Sequence, residues 1–245
     1  MHILITGASS GIGEALALVY AAPGVHLSLS GRDAARLDAV VNACKSKGAI
    51  ANGAIVDAAN EAATAQWIKA CDTQAPLDLV VANAGISGGM GSHEQTRRIL
   101  RTNVDGVVNT VLPAIDVMRP RKKGQIAIVS SLAGFRGLGG APAYGASKAA
   151  VRVWGEGLRP ILARDGIGMS VVCPGFVVSR MTDVNKFHMP FLMDTDKAAR
   201  IIQRGLAANK GRISFPWPMA FVVWLMSILP NRLAEALTHG LPDKN

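Results

Sequence analysis

Tyr144 and Lys148 stand four residues apart in Tyr144-Gly145-Ala146-Ser147-Lys148, a spacing that gives them one face of a helix. A free tyrosine titrates near pH ~10 and is a poor base at neutrality. An ammonium beside it favours the phenolate, so Lys148 is expected to lower that value and let Tyr144 act as an acid/base. Taken alone, such a pair is equally an exposed surface contact. Tyr144, however, is one of two tyrosines in the chain and follows an apolar run ending in Val129-Ser130-Ser131. Adjacent strand side chains point to opposite faces, so only one of these serines can share a site with it.

A second chemical feature lies at the start. Thr6-Gly7-Ala8-Ser9-Ser10-Gly11-Ile12-Gly13 follows an apolar strand and opens a helical stretch. Three glycines allow a sharp turn and close approach to a pyrophosphate, and the helix behind them offers free N–H groups and a positive dipole end. At the end of the next strand Ser30-Gly31-Arg32-Asp33 carries no acid in the place that would hold a ribose 2′-OH. Arg32 has the planar fork for a 2′-phosphate, and Asp33 suits a helix cap. The expected cofactor is therefore NADP(H).

The same residues admit a different class. Gly7-Ala8-Ser9-Ser10-Gly11 and Gly85-Ile86-Ser87-Gly88-Gly89 both fit the nucleophile elbow of serine hydrolases. That chemistry needs a later acid and histidine. His188 and His239 follow in order, but neither has a recognisable context. A further alternative is a non-catalytic NADP-binding scaffold, since a fold does not fix a function.

Taken in order, the motifs resemble those of the short-chain dehydrogenase/reductase family in its single-domain form. The resemblance runs from residue 3 to about residue 175. It rests on the glycine loop, Asn83-Ala84-Gly85, Asn103 in Thr102-Asn103-Val104, Ser131, the Tyr144/Lys148 pair and Pro174-Gly175. It implies that Ser131, not Ser130, orients the substrate oxygen, and that Lys148 also binds the nicotinamide ribose. Asn103 would hold a relay water by bending its helix, with an N-cap role as its rival. Hydride transfer would be the cofactor's. Cofactor contacts are implied at Gly7, Ser9, Ser10, Gly11, Ile12, Gly13, Arg32, Asn83, Ala84, Gly85, Tyr144, Lys148, Pro174, Gly175, Val177 and Ser179. Asp57 would meet the adenine, although helix capping in Asp57-Ala58-Ala59-Asn60 competes. Where the family often has threonine this chain has Ser179, with Thr182 nearby, so the hydroxyl that meets the nicotinamide carboxamide stays open.

These residues need a scaffold, and the pattern supplies one. Apolar runs at 3–5, 26–30, 54–56, 79–82, 125–130, 169–173 and 212–215 alternate with amphipathic stretches at 12–21, 34–47, 61–72, 103–118, 144–164 and 197–208. Alternation of this kind predicts an α/β, doubly wound Rossmann fold, with a mostly parallel seven-stranded sheet and helices on both faces. Strands apolar throughout, such as Ile126-Ala127-Ile128-Val129, fit a sheet covered on both sides. Residues 1–245 make one dinucleotide-binding domain, with a substrate-loop region at 176–210 and an apolar C-terminal extension at 216–240.

The substrate region carries Phe176, Met181, Phe187, Met189, Phe191, Leu192 and Met193, a wall suited to a lipophilic carbonyl or secondary alcohol. Residues 219–229 form an apolar run bracketed by Pro216, Pro218 and Pro230. Eleven residues fall short of the ~20 that span a bilayer. A buried or subunit-interface helix is expected, and a peripheral membrane contact aided by Trp217 and Trp224 is the second reading. The resemblance implies a homodimer or homotetramer through helices 103–118 and 144–164.

Composition bounds the rest. Hydrophobic residues at 49% against 18% charged exclude disorder. The net charge of +9 admits anionic partners, but basic residues are scattered, and the one cluster, Arg119, Arg121, Lys122 and Lys123, has no interleaved aromatics. No nucleic-acid partner is expected. Cys44, Cys71 and Cys173 are far apart and the histidines dispersed, which predicts reduced structural thiols and no metal site. The chain opens directly on a strand, so a cytoplasmic location is expected.

Overall fold

The first strand, β1 (His2–Ile5), divides its side chains between two cores: Ile3 and Ile5 pack into one and Leu4 into the other. That division is the mark of a sheet covered on both faces. The architecture comes from a computed structural model that describes residues 1–88, 91–137, 139–183, 185 and 188–238.

Among these residues seven strands form one sheet: β1, β2 (His26–Gly31), β3 (Ile50–Ile55), β4 (Leu79–Ala82), β5 (Gly124–Val129), β6 (Ile167–Pro174) and β7 (Arg212–Phe215). Their order is β3-β2-β1-β4-β5-β6-β7 and every pairing is parallel. The expected doubly wound fold is present, and its sheet is wholly parallel. The order reverses at β1, where a crevice opens between the carboxyl ends of β1 and β4; ligands of open α/β sheets bind at such a switch point.

The helices are α1 (Gly11–Tyr20), α2 (Ala34–Ser46), α3 (Glu61–Gln74), α4 (His93–Leu100), α5 (Gly106–Met118), α6 (Pro142–Arg164), α7 (Arg180–Asp183), α8 (Thr195–Ala207), α9 (Trp217–Ile228) and α10 (Asn231–Thr238). Residues of α1, α2 and α8 join the core around Ile3 and Ile5, and those of α3, α5 and α6 join the core around Leu4. Local chemistry sets the ends. Asp33 caps α2 by accepting from Arg36 N–H at 3.0 Å, Asn60 caps α3 by accepting from Ala63 N–H at 3.1 Å, and Pro142 opens α6.

Three expectations need correction. The third strand lies at Ile50–Ile55, not 54–56, because an edge strand can pair through its backbone with few apolar side chains. Asn103 is not a helix N-cap: α4 runs through a π-helical turn, Arg101–Asp105, into α5, and Asn103 sits inside that widened turn. The extension forms two helices, and the apolar one, α9, has no fully buried residue, so it is not a core helix. No helix among the described residues is long and apolar enough to cross a membrane. The basic cluster is partly structural, since Arg121 binds Asp72 at 2.8 Å and Arg119 binds Asp165 at 2.8 Å.

Candidate active site

The carboxyl ends of β1, β2, β4, β5 and β6 open into one cavity of about 1220 Å³. Its floor is built from the residues that the motifs singled out.

The phosphate loop comes first. Gly7 and Gly11 adopt positive φ of 66° and 60°, which glycine alone tolerates cheaply. A side chain at Gly13 would overlap the Gly7 carbonyl oxygen and the Asn83 amide, so Gly13 serves close packing and does not line the cavity. Asn83 holds the loop by donating from Nδ2 to the carbonyls of Thr6 and Gly7, both at 3.0 Å. Ser10 stands at the N-cap of α1 without making a side-chain cap, which leaves first-turn N–H groups facing the cavity with Ser9, Gly11 and Ile12.

Arg32 and Arg36 line the cavity at the end of β2. Arg36 pairs with Asp33 at 2.8 Å, and its Nε is buried with no hydrogen-bond partner. A buried donor without an acceptor fits a ligand oxyanion at this wall. Sequence reading missed Arg36; its signal was the four-residue spacing from Arg32 at the start of a helix. Asp57 lies differently from the implied role. Its Oδ1 accepts from Ala59 N–H at 3.1 Å, and Val56 and Ala58 make the cavity wall instead.

At the other end stand the chemical groups. Ser131, Tyr144 and Lys148 all line the cavity, and the Ser131 hydroxyl is near enough to Tyr144 to favour its phenolate. Ser130 donates to the Lys148 carbonyl at 2.7 Å, whereas Ser131 Oγ accepts from Ala133 N–H at 3.1 Å and has only a long contact, 3.4 Å, to the Pro174 carbonyl. Lys148 is almost fully buried and donates from Nζ to the Val129 carbonyl at 2.8 Å. Burial pushes the Lys148 ammonium down to about 8 and pushes the Tyr144 phenol above its usual value, with the Ser131 hydrogen bond opposing the latter. The expectation that Lys148 lowers Tyr144 is not met: desolvation dominates, and Nζ is 5.8 Å from the ring centre.

Asn103 is fully buried and acts as a clamp. Its Oδ1 accepts from Ile86 N–H at 2.8 Å, and its Nδ2 donates to the Ile86 carbonyl at 2.9 Å and to Ser147 Oγ at 3.0 Å. Ser147 in turn donates to the Tyr144 carbonyl at 2.7 Å. The clamp ties the Asn83-Ala84-Gly85 loop to the helix bearing Tyr144. It fills the space over Gly85, where a Cβ would lie 3.3 Å from both Asn103 Oδ1 and Lys148 Nζ.

Pro174, Gly175, Val177 and Ser179 also line the cavity. Thr182 donates to the Val177 carbonyl at 2.9 Å and lies 3.3 Å from Ser179 Oγ, so the two hydroxyls form one polar patch. The apolar wall comes from Phe176, Met181 and Phe191 and from the inner face of α9, with Met219, Val223 and Met226. Met219, Ala220 and Val223 seat α9 on Leu132, Val171 and Cys173. Phe187, Gly89 and His239 lie outside the described residues. Ser9 belongs to the phosphate loop, lying against Gly31, where a Cβ would come within 3.0 Å of its Oγ.

Known proteins resemble this chain in sequence and fold. A family model described as short chain dehydrogenase matches residues 1–188. An uncharacterized oxidoreductase of Myxococcus xanthus is 40% identical over 243 residues, covering 97% of this chain and 96% of that one. A Streptomyces virginiae protein, provisionally named the ketoacyl reductase of monensin polyketide synthase, is 32% identical over 96% of this chain and 92% of its own. A solved short-chain dehydrogenase from Sphingobium yanoikuyae in complex with NADPH superposes with a TM-score of 0.81 at 25% identity, covering 94% and 96% of the two chains.

Proposed function

The chain belongs to the short-chain dehydrogenase family and is an oxidoreductase, and from that premise we propose that it interconverts a lipophilic carbonyl compound and a secondary alcohol with NADP(H). The observation that carries this reading is the union of both halves in one cavity: a glycine-lined anion cradle at one end and Ser131, Tyr144 and Lys148 at the other. Family membership replaces the serine hydrolase alternative.

The residues fit a bound NADP(H). The first turn of α1, with Ser9, Ser10, Gly11 and Ile12, would hold the pyrophosphate. Arg32 and the unpartnered Nε of Arg36 suit the 2′-phosphate. Val56 and Ala58 would flank the adenine end. Lys148, Pro174, Gly175, Val177 and the Ser179–Thr182 patch would surround the nicotinamide end. When bound, the cofactor supplies the hydride.

The chain's own groups handle the oxygen and its proton. Ser131 Oγ donates to the substrate oxygen and fixes it beside Tyr144. Tyr144, kept protonated by burial, donates its phenolic proton to the carbonyl oxygen in reduction and recovers one in oxidation. Lys148 places a cation near the phenol and would bind the ribose hydroxyls of a bound cofactor. Asn103 keeps the Ala84–Ile86 backbone against α6 and, through its bent helix, positions a relay water. The walls of Phe176, Met219 and Met226 exclude bulk water and favour an apolar substrate body.

Assembly as a homodimer or homotetramer is proposed through α5 and α6, which expose Leu112, Val153 and Ile161. The outer face of α9, with Trp217 and Phe221 exposed, is the face for a peripheral membrane contact, which vesicle co-sedimentation tests.

The deciding experiment is an NADPH-absorbance screen of cyclic and long-chain ketones against hydrophilic sugars, repeated with NADH and with Arg32→Ala and Arg36→Ala. Turnover of apolar ketones with NADPH is expected, and each arginine variant should lose NADPH preference by about tenfold or more. Turnover confined to sugars, or an unchanged NADPH preference in both variants, overturns the reading. Cofactor binding with no turnover of any carbonyl would favour a scaffold.

A further inference from the structure

Resting on the proposed carbonyl chemistry, we infer that the substrate carries an oxyanion, carboxylate or phosphate, at the end of its apolar body, and that Arg136 recognises it. The observation is an imbalance of charge in an otherwise apolar chamber. Away from the phosphate cradle, the ionisable side chains on the described wall besides Tyr144 and Lys148 are Arg136, Arg180 and His188, and no Asp or Glu joins them. The acid that does line the cavity, Asp33, belongs to the Arg32 end and is taken by Arg36. Arg180 also lines the adjoining crevice beside Ser9, Ser10 and Gly11, which gives it to the phosphate side. Among the described residues Arg136 is left as the strong cation of the substrate side.

Among the described residues Arg136 is held in place but not neutralised. It follows the catalytic strand end by a few residues and reaches the elbow between α9 and α10. There Nη1 donates to the Leu229 carbonyl at 3.3 Å and Nη2 to Asn231 Oδ1 at 3.0 Å. Both acceptors are neutral, and Arg136 makes no ion pair among the described residues. A guanidinium has five N–H donors, so a fixed fork with donors to spare faces the chamber. Other arginines of this region are compensated: Arg152 and Arg212 share Glu156 at 3.2 and 2.7 Å.

The energetic argument follows. A neutral, wholly apolar ligand filling the chamber would strip water from Arg136 and return nothing. A ligand with an oxyanion would restore the lost hydration with charge-assisted hydrogen bonds and could do so bidentately. Sites built this way discriminate strongly against a ligand that lacks the partner, because the buried polar group is then left unmatched. The net charge of +9 acts in the same direction by drawing anions to the mouth.

The test compares four probes of one chain length: an oxo fatty acid, its methyl ester, the matching oxo alkyl phosphate and the oxo alcohol. Turnover is followed with NADPH, and binding of the non-reducible fatty acid and its methyl ester is followed by tryptophan fluorescence. The expected result is at least a tenfold higher kcat/KM for an anionic probe than for the ester and alcohol, expressed mainly in KM. The faster of acid and phosphate identifies which oxyanion the fork prefers. Arg136→Gln should bring anionic and neutral probes to within about threefold. Asn231→Ala, which removes a latch partner but keeps the charge, should preserve the preference. Equal or faster turnover of the ester by the unaltered protein, or a preference that survives Arg136→Gln, overturns the inference while leaving the carbonyl chemistry intact. Tighter binding of the acid with no reduction of any oxo probe would instead sink the carbonyl reading and leave the anion site standing.

Discussion

Lys148 Nζ donates to the Val129 carbonyl at 2.8 Å and stands 5.8 Å from the centre of the Tyr144 ring. The two residues share a helix face, yet burial governs each of them more than either governs the other. Desolvation keeps the phenol protonated and loosens the proton on the amine. On the proposed carbonyl chemistry the pair would be a proton donor beside a weakly held ammonium, which suits reduction at neutral pH.

This arrangement sets the pH profile. With the Tyr144 phenol held above its ordinary value, reduction should be nearly flat across neutral pH and fall as the phenol ionises at alkaline pH. Oxidation needs the phenolate, so its kcat/KM should climb about tenfold per pH unit below that ionisation. The Ser131 hydrogen bond lowers the tyrosine, so Ser131→Ala should move the oxidation limb to higher pH as well as slow it. Tyr144→Phe should cost on the order of 10³-fold in turnover while NADPH still binds. An oxidation rate independent of pH from 7 to 10 would remove Tyr144 from the proton path.

Lys148 links the site to stability. Its folded value of about 8 lies below the 10.5 of the free side chain. Between those values the unfolded chain holds more protons, so the stability that Lys148 permits is lowest below about pH 8 and rises to its full value near 10.5. The melting temperature of the unaltered protein minus that of Lys148→Met should therefore increase from pH 8 to pH 10.5 in the cofactor-free state. The subtraction removes the other titrations. A difference that is constant or shrinks with pH contradicts the burial argument. Turnover should be lost in the variant at every pH.

The sequence made some of this legible and hid the rest for definite reasons. The glycine loop and the all-apolar strands were readable because residue type alone dictates the turn and the two-sided burial. Alternation posed the choice between Ser130 and Ser131, and only the structure shows that Ser130 is tied to the Lys148 carbonyl. The strand at Ile50–Ile55 was placed late because Asn52 and Gly53 pair through the backbone and bring no apolar signal. Asn103 resisted because its partners, Ile86 and Ser147, lie 17 and 44 residues away. The extension was legible as a helix, but its place over the cavity depends on Leu132, Val171 and Cys173, which no local pattern connects to it.

The clamp around Asn103 makes Ser147 a positioning residue with a testable cost. Ser147→Ala removes the acceptor for one Asn103 Nδ2 hydrogen and the donor to the Tyr144 carbonyl. Asn103 keeps Ile86, so the fold should survive with a loss of about 1–2 kcal/mol, a drop of a few degrees in Tm for a chain of this size. Turnover should fall about tenfold with little change in KM for substrate, since the loss is in alignment. Ser147→Thr, which keeps the hydroxyl, should recover most of the rate. Failure of that rescue would leave only a packing role.

His2 supplies the acid side of the stability curve. It is buried on β1 between the Ala75 carbonyl, 2.8 Å from Nδ1, and Ser28 Oγ, 2.9 Å from Nε2. Burial is the largest cause pulling its pKa below 6.5, and His26, with ring centres 6.0 Å apart, adds to it. The neutral ring satisfies both neighbours with Nδ1–H donating and Nε2 accepting from Ser28. As pH falls below about 6.5 the unfolded state takes up a proton that the folded state resists, so stability declines with acidification. The loss continues until the folded ring also protonates. Replacing the ring removes that dependence, and His2→Asn retains a donor toward Ala75. The melting-temperature advantage of the unaltered protein over His2→Asn should thus be largest at pH 7 to 8 and shrink toward pH 5. A constant advantage over that range would mean that His2 titrates alike in both states and that its burial carries no pH cost.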